Sequence, residues 1–283
     1  AGTLTISTPI AGPINNSGGF QIHRGTVVLN NTATITFDST AITTASVSAI
    51  TTAGIASLTT AMIEALTTAQ VAGLSTAQIV ALGTDNLTAL ETADIAALTT
   101  AQVVSMTTAQ VAALSTAQIT ALKTANIKAI ETADIAALTT DQIVSFTATQ
   151  IAVLTTAQIV ALGSDGVVAI NTTDMAALTT AQVVSLMTEQ VAALTTEQLV
   201  ALKTANVRAI ETADIKALST EQIESLTTVQ VQVFTTAQMA VLSTAQIGAI
   251  TTSQLNALTT ANTAALSTAG IATLTTAMIA ALT

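Results

Sequence analysis

The sequence predicts a repeat solenoid, mainly α, built of short capped helices with one helix per eight-residue repeat and a small β-rich segment in front. Three observations predict it. From Ile42 the chain runs in octads of the form L-T-T-A-Q-I-x-A without insertion or deletion, and 30 complete units precede Leu282. Apolar positions within the octad are spaced five and three apart, which suits a helix face and not an alternating strand. Residues 1–41 lack the octad and alternate polar with apolar residues instead.

Residues 1–41 come first in the chain. Thr3 to Thr8 alternates as a strand does, and Pro9 to Gly19 is rich in turn formers. Val27, Val28 and Leu29, then Ala33 to Phe37 with Ile35 between, flank Asn30-Asn31. Asn tolerates positive φ, so this dipeptide suits a hairpin turn. A segment this small is not stable alone, so it is expected to cap the first octads or to pair with something else.

Residues 42–283 form the second region. Numbering the octad from its Leu, position one holds Leu, Ile, Met or Phe throughout, from Ile42 to Leu282. Position six holds Val, Ile, Leu or Met, with Thr263 the only polar occupant. Position three is Thr in 28 of 30 units, replaced by Ala148 and Ser164. Position seven takes Glu64, Lys128, Arg208 and Gln232 alike, as a solvent-facing site would. The core is therefore expected at positions one and six, represented by Leu98, Ile119, Ile135, Leu138, Ile143, Leu154, Ile159 and Leu178. Ala at four and eight is expected on the same face, since residues four apart lie together on a helix.

A β-solenoid is the alternative. It would have to change face twice per unit, through turns that usually recruit Gly, Asn or Asp, and most octads have none. The helix start is written in more directly. Thr at two with Gln at five is the S/T-x-x-E/Q capping box, and Leu at one with Ile at six is the matching hydrophobic staple. Position two also admits Gly83, Lys123, Glu131 and Met187. The near-constant Thr at three is therefore expected to be the working cap in such units. Thr92, Thr100, Thr116, Thr132, Thr140 and Thr156 are the expected helix-capping residues. Octads would wind an apolar stripe around one long helix, so a string of helices of one to two turns is expected.

Two resemblances follow. Leu194-Thr-Thr-Glu-Gln-Leu-Val-Ala-Leu202 resembles the opening helix of the TAL-effector DNA-binding repeats, which implies a capped helix start. The longer repeat, base-reading loop and basic surface of that family are missing, so DNA binding does not carry over. The repeat region is also similar to the Ala/Thr-rich repetitive surface and filament proteins of bacteria with LTTAQ-type octads. That likeness implies an extracellular or cell-surface structural role.

A longer period lies over the octad. Position five, usually Gln, becomes Asn86, Asn126, Gly166 and Asn206, and the next unit carries Asp94, Asp134, Asp174 and Asp214. Each series steps by five octads. Duplication of a five-octad block explains this; the alternative is that residues one block apart lie in register along the solenoid or on matching contacts of an assembly. The Asp residues recur singly, so they read as favourable first-turn charges and not as a calcium site, which needs several converging oxygens.

Composition excludes several functions. Net charge is −10 with only 6 Lys and Arg, so a phosphate backbone is not a suitable partner. No apolar run approaches the roughly 18 residues that a membrane span needs. There is no Cys, and His23 is the only His, so no thiolate site and no His-based triad can be assembled. Neither a cofactor nor a small-molecule substrate is expected, and an enzyme is not. The expected function is a subunit of a self-assembling extracellular filament, sheath or surface layer, with copies of itself as partners. The runner-up is a rigid stalk of an adhesin or phage fibre, and a Thr-ladder ice-binding protein is third. Val27, Val28, Leu29, Ile35 and Phe37 at one end and Ile279 and Leu282 at the other are the expected assembly residues. A terminal solenoid repeat exposes its core face unless something covers it, so contact with neighbouring subunits is expected there.

Overall fold

The computed structural model describes residues 47–280. The expected β-rich segment, with Val27, Val28, Leu29, Ile35 and Phe37, lies outside the described residues, as does Leu282. The chain divides into two compact units, one up to Leu138 and the other from Thr139 onward. Among the described residues there are 29 helices of four to seven residues and no strand, so the helical form of the repeat holds and the β-solenoid does not.

Most octads make a helix of their own because extended backbone separates it from the one before; at Leu82–Gly83 and Leu162–Gly163 a glycine at positive φ makes the break instead. In the helix Thr100–Val104, the N-cap Thr99 sits at φ −79°, ψ 157°, directly after Leu98 at φ −53°, ψ 139°. Isolated helices this short are not stable in water, so their stability comes from caps and from packing on other octads.

That packing joins helices three octads apart. In the first unit Thr68–Ala72 packs on Thr92–Ala97, which packs on Thr116–Ala121. In the second, Thr140–Val144, Gly163–Ala169, Thr188–Ala193 and Thr212–Ala217 form one such column. Within each unit the chain therefore coils with three octads to a turn. Residues five octads apart are one turn and two further sides apart, so they do not lie in register. Asn86 and Asn126 stand on different sides of the first unit, and Gly166 and Asn206 on different sides of the second. Register along the coil is therefore not the cause of the five-octad period.

The core is the inward stripe of these turns. Leu98, Ile119, Ile135, Leu138, Ile143, Leu154, Ile159 and Leu178 are all buried, each removing an aliphatic side chain from water at a gain of about 1.5–3 kcal/mol. Position four departs from expectation. Ala93, Ala101 and Ala109 are exposed, and Ala97 and Ala113 at position eight are half-buried. In helices that begin at position three the second residue faces outward, and the third, position five, takes its place inside in most of them.

Candidate functional site

Position five is where this fold concentrates its polar chemistry. Gln102 is 2% exposed and bonds at both ends of its amide. Its Oε1 accepts from the Thr99 N–H at 2.8 Å, while the Thr99 hydroxyl accepts from the Gln102 N–H at 3.3 Å. Its Nε2 donates to the carbonyls of Val71 at 2.9 Å and Leu74 at 2.8 Å. These carbonyls lie at the end of one helix and the corner after it, in the turn below. One side chain thus starts its own helix and ends another. Gln118 repeats the pattern on Leu87 and Leu90. In the second unit Gln182, Gln198, Gln230 and Gln254 do the same.

An unpaired buried amide or carbonyl costs about 1–3 kcal/mol. Among the described residues no buried side-chain nitrogen or oxygen lacks a partner.

Capping is therefore assigned to position two. Thr99, Thr107, Ser115, Thr139 and Thr155 are N-caps with complete capping boxes. The expected caps Thr92, Thr100, Thr116, Thr132, Thr140 and Thr156 are instead the first residues of their helices. Their backbone is already helical there, so the hydroxyl is not aimed at the free N–H groups of the first turn. Where position two is Glu91, Lys123, Glu131, Lys203 or Glu211, the N-cap side chain makes no capping bond.

These uncapped corners coincide with the Asn and Asp series. Asn126 reaches down. Its Nδ2 donates to the Leu98 carbonyl at 3.0 Å and its Oδ1 accepts from the Thr100 hydroxyl at 3.2 Å. Asn206 does likewise with Leu178 and Thr180. Asp134 and Asp214 keep the hydroxyl bond, accepting from Thr108 at 2.6 Å and Thr188 at 2.7 Å. The four Asp residues lie in the first turns of their helices, as expected, but they are buried and not solvated, and Asp134 and Asp214 are contacts between turns. Burial pushes the carboxyls of Asp94 and Asp174 above the usual carboxylate range. Under Asp174 the residue at the matching place is Ala148, which has no hydroxyl. Asn171 substitutes by donating its Nδ2 to Asp174 Oδ2 at 2.6 Å.

Glycine at position five is filled from below. A Cβ on Gly166 would meet Ile143 Cδ1 at 3.2 Å, and one on Gly270 would collide with Ile247 Cδ1. Both isoleucines belong to the turn beneath.

Of the expected assembly residues, Ile279 is described and is 48% exposed, while the preceding Met278 is turned inward. No group of His, Cys, Asp and Glu among the described residues could hold a metal ion. No described helix is long and apolar enough to cross a membrane. The strand-like face that an ice-matching Thr ladder requires is absent among the described residues. Thr ranks on stacked helices stand about 8–10 Å apart, not the roughly 4.7–4.9 Å of neighbouring strands.

The buried position-five amide is legible in the sequence only as a cap. Its second role depends on a carbonyl in the turn below, and only the three-octad coil brings the two together. No curated protein matches the chain. The ALTTAQ repeat matches residues 63–90, 87–124, 127–164, 167–204, 207–244 and 236–268, so the matches fall on most of the octad region, and the four that begin at 87, 127, 167 and 207 are spaced as the five-octad block is. The chain belongs to the ALTTAQ repeat family.

Proposed function

We propose that the protein is a non-catalytic structural subunit of a self-assembling filament, sheath or surface layer outside the cell, with copies of itself as its partner. One observation carries the reading: each turn is held to the one below by the same side chain acting on main-chain carbonyls. Main-chain acceptors are indifferent to side-chain identity, so one octad turn can receive another whatever its sequence. The outer positions two, three and four are mostly Thr and Ala, and residues 225–283 carry no charged side chain, which lowers the cost of bringing like surfaces together. The resemblance to repetitive bacterial surface proteins agrees with it.

Negative-stain microscopy of the purified chain tests this. Regular polymers that persist at high salt are expected, and isolated particles at every concentration would replace the reading with that of a stalk or spacer. Deleting residues 1–38 then separates the two sources of contact. Loss of polymers is expected; unchanged polymers would place the contacts on the octads.

A further inference from the structure

Asp94 stands at a position that most octads fill with an amide. It is 2% exposed and lies at position five of the helix Thr92–Ala97. Asn126, Asn206 and Asn262 at the same position donate to the corner carbonyls of Leu98, Leu178 and Phe234, at 3.0, 2.9 and 2.9 Å. Asn86, in the octad before Asp94, donates to the Leu58 carbonyl at 3.0 Å. For Asp94 the equivalent acceptor is the Leu66 carbonyl, and no donor reaches it among the described residues. Asp and Asn have one shape, so the second carboxyl oxygen takes the place of the Asn amide nitrogen. A carboxylate there sets two acceptors face to face, whereas a carboxylic acid has the missing donor.

We propose that Asp94 is an acid-closed clamp between turns: as a neutral acid it donates to the Leu66 carbonyl, and as a carboxylate it leaves that bond unmade. The surroundings favour the neutral form. The helices packed on either side, Thr68–Ala72 and Thr116–Ala121, carry no charged residue. The charged neighbour on its own helix is the N-cap Glu91, and the adjoining helices add Asp85 and Glu64, all acids. Burial raises the Asp94 carboxyl, with the Thr68 hydroxyl and the Glu91 N–H opposing and the Glu91 charge assisting. The carboxyl, the Leu66 carbonyl and the Thr68 hydroxyl supply fewer oxygens than a calcium ion takes. A folded-state value above the unfolded one means that the extra stability is present at low pH. It is lost as pH rises through the folded-state value. The inference does not depend on what the chain assembles with.

The test follows thermal unfolding of the full chain from pH 7 to pH 4 for wild type, Asp94→Asn and Asp94→Ala. Asp94→Asn carries a permanent donor, so it should melt about 2–4 °C above wild type at pH 7. That gap should close as the pH falls and wild type regains the bond. Asp94→Ala removes the charge without supplying a donor and should stay below Asp94→Asn at every pH. A gap that does not change with pH overturns the clamp, as does equal melting of the Asn and Ala variants. So does a wild type stabilised at pH 7 by millimolar calcium but not by acid.

Discussion

The corners Leu162–Gly163 and Leu202–Lys203 lie five octads apart, at the same place in the duplicated block, yet their backbones differ. Leu162 is helical at φ −59°, ψ −24°, and Gly163 follows at φ 65°, so the next helix starts at once. Leu202 and Lys203 are both extended, at φ −64°, ψ 138° and φ −61°, ψ 149°. The amide above accommodates either path. Gln230 donates to the Leu202 carbonyl at 3.0 Å, whereas Gln190 reaches one residue further on, to the Gly163 carbonyl at 3.2 Å. The corner is free to vary because the fold is held by what spans the turns. The local backbone serves mainly to offer a carbonyl.

The strongest way to break this comparison is to remove the amides. Gln230→Leu leaves buried carbonyls and the Thr227 N–H without partners, and a loss of about 3 kcal/mol in denaturant unfolding is expected. Gln190→Leu should cost nearly as much. A much smaller loss there would mean that the glycine corner supports itself. A weaker perturbation acts on the backbone alone. Gly163→Ala puts a Cβ on a left-handed residue and should cost about 1–2 kcal/mol, although nothing crowds that Cβ. A neutral result would show that the corner converts to the extended form seen at Lys203. The smallest effect has the opposite sign. Lys203→Thr restores a cap hydroxyl above a short Asn, as Thr259 provides for the Asn262 N–H at 3.2 Å. A gain of about 0.5–1 kcal/mol in thermal or denaturant unfolding is expected.

Much of the repeat is legible in the sequence because it is local. The spacing of Leu138, Ile143 and their equivalents identifies the buried stripe, and Thr99 with Gln102 spells out a helix start between neighbours in the chain. The displaced cap has a physical cause. Constancy of Thr at position three points to a capping role, but the extended backbone that a cap needs occurs at position two. Thr100, Thr108, Thr180 and Thr188 use their hydroxyls on the turn above instead. The number of octads per turn is not readable, because it depends on corner angles that side-chain pattern does not encode. The burial of Gln102 and Asp134 is hidden for a related reason: a polar residue in a first turn looks solvated until something is stacked on it.

The mismatch between a block of five and a turn of three acts like a pair of gears with no common factor. Each copy of the block is rotated by two sides from the one before it in the same unit, so consecutive copies set an exceptional residue in different columns. In the second unit the columns through Gly166, Asp174 and Asn206 are three different ones. Asp174 is thereby bordered below and above by Gln150 and Gln198, and Asn206 by Gln182 and Gln230, so a weakened contact sits between ordinary Gln octads.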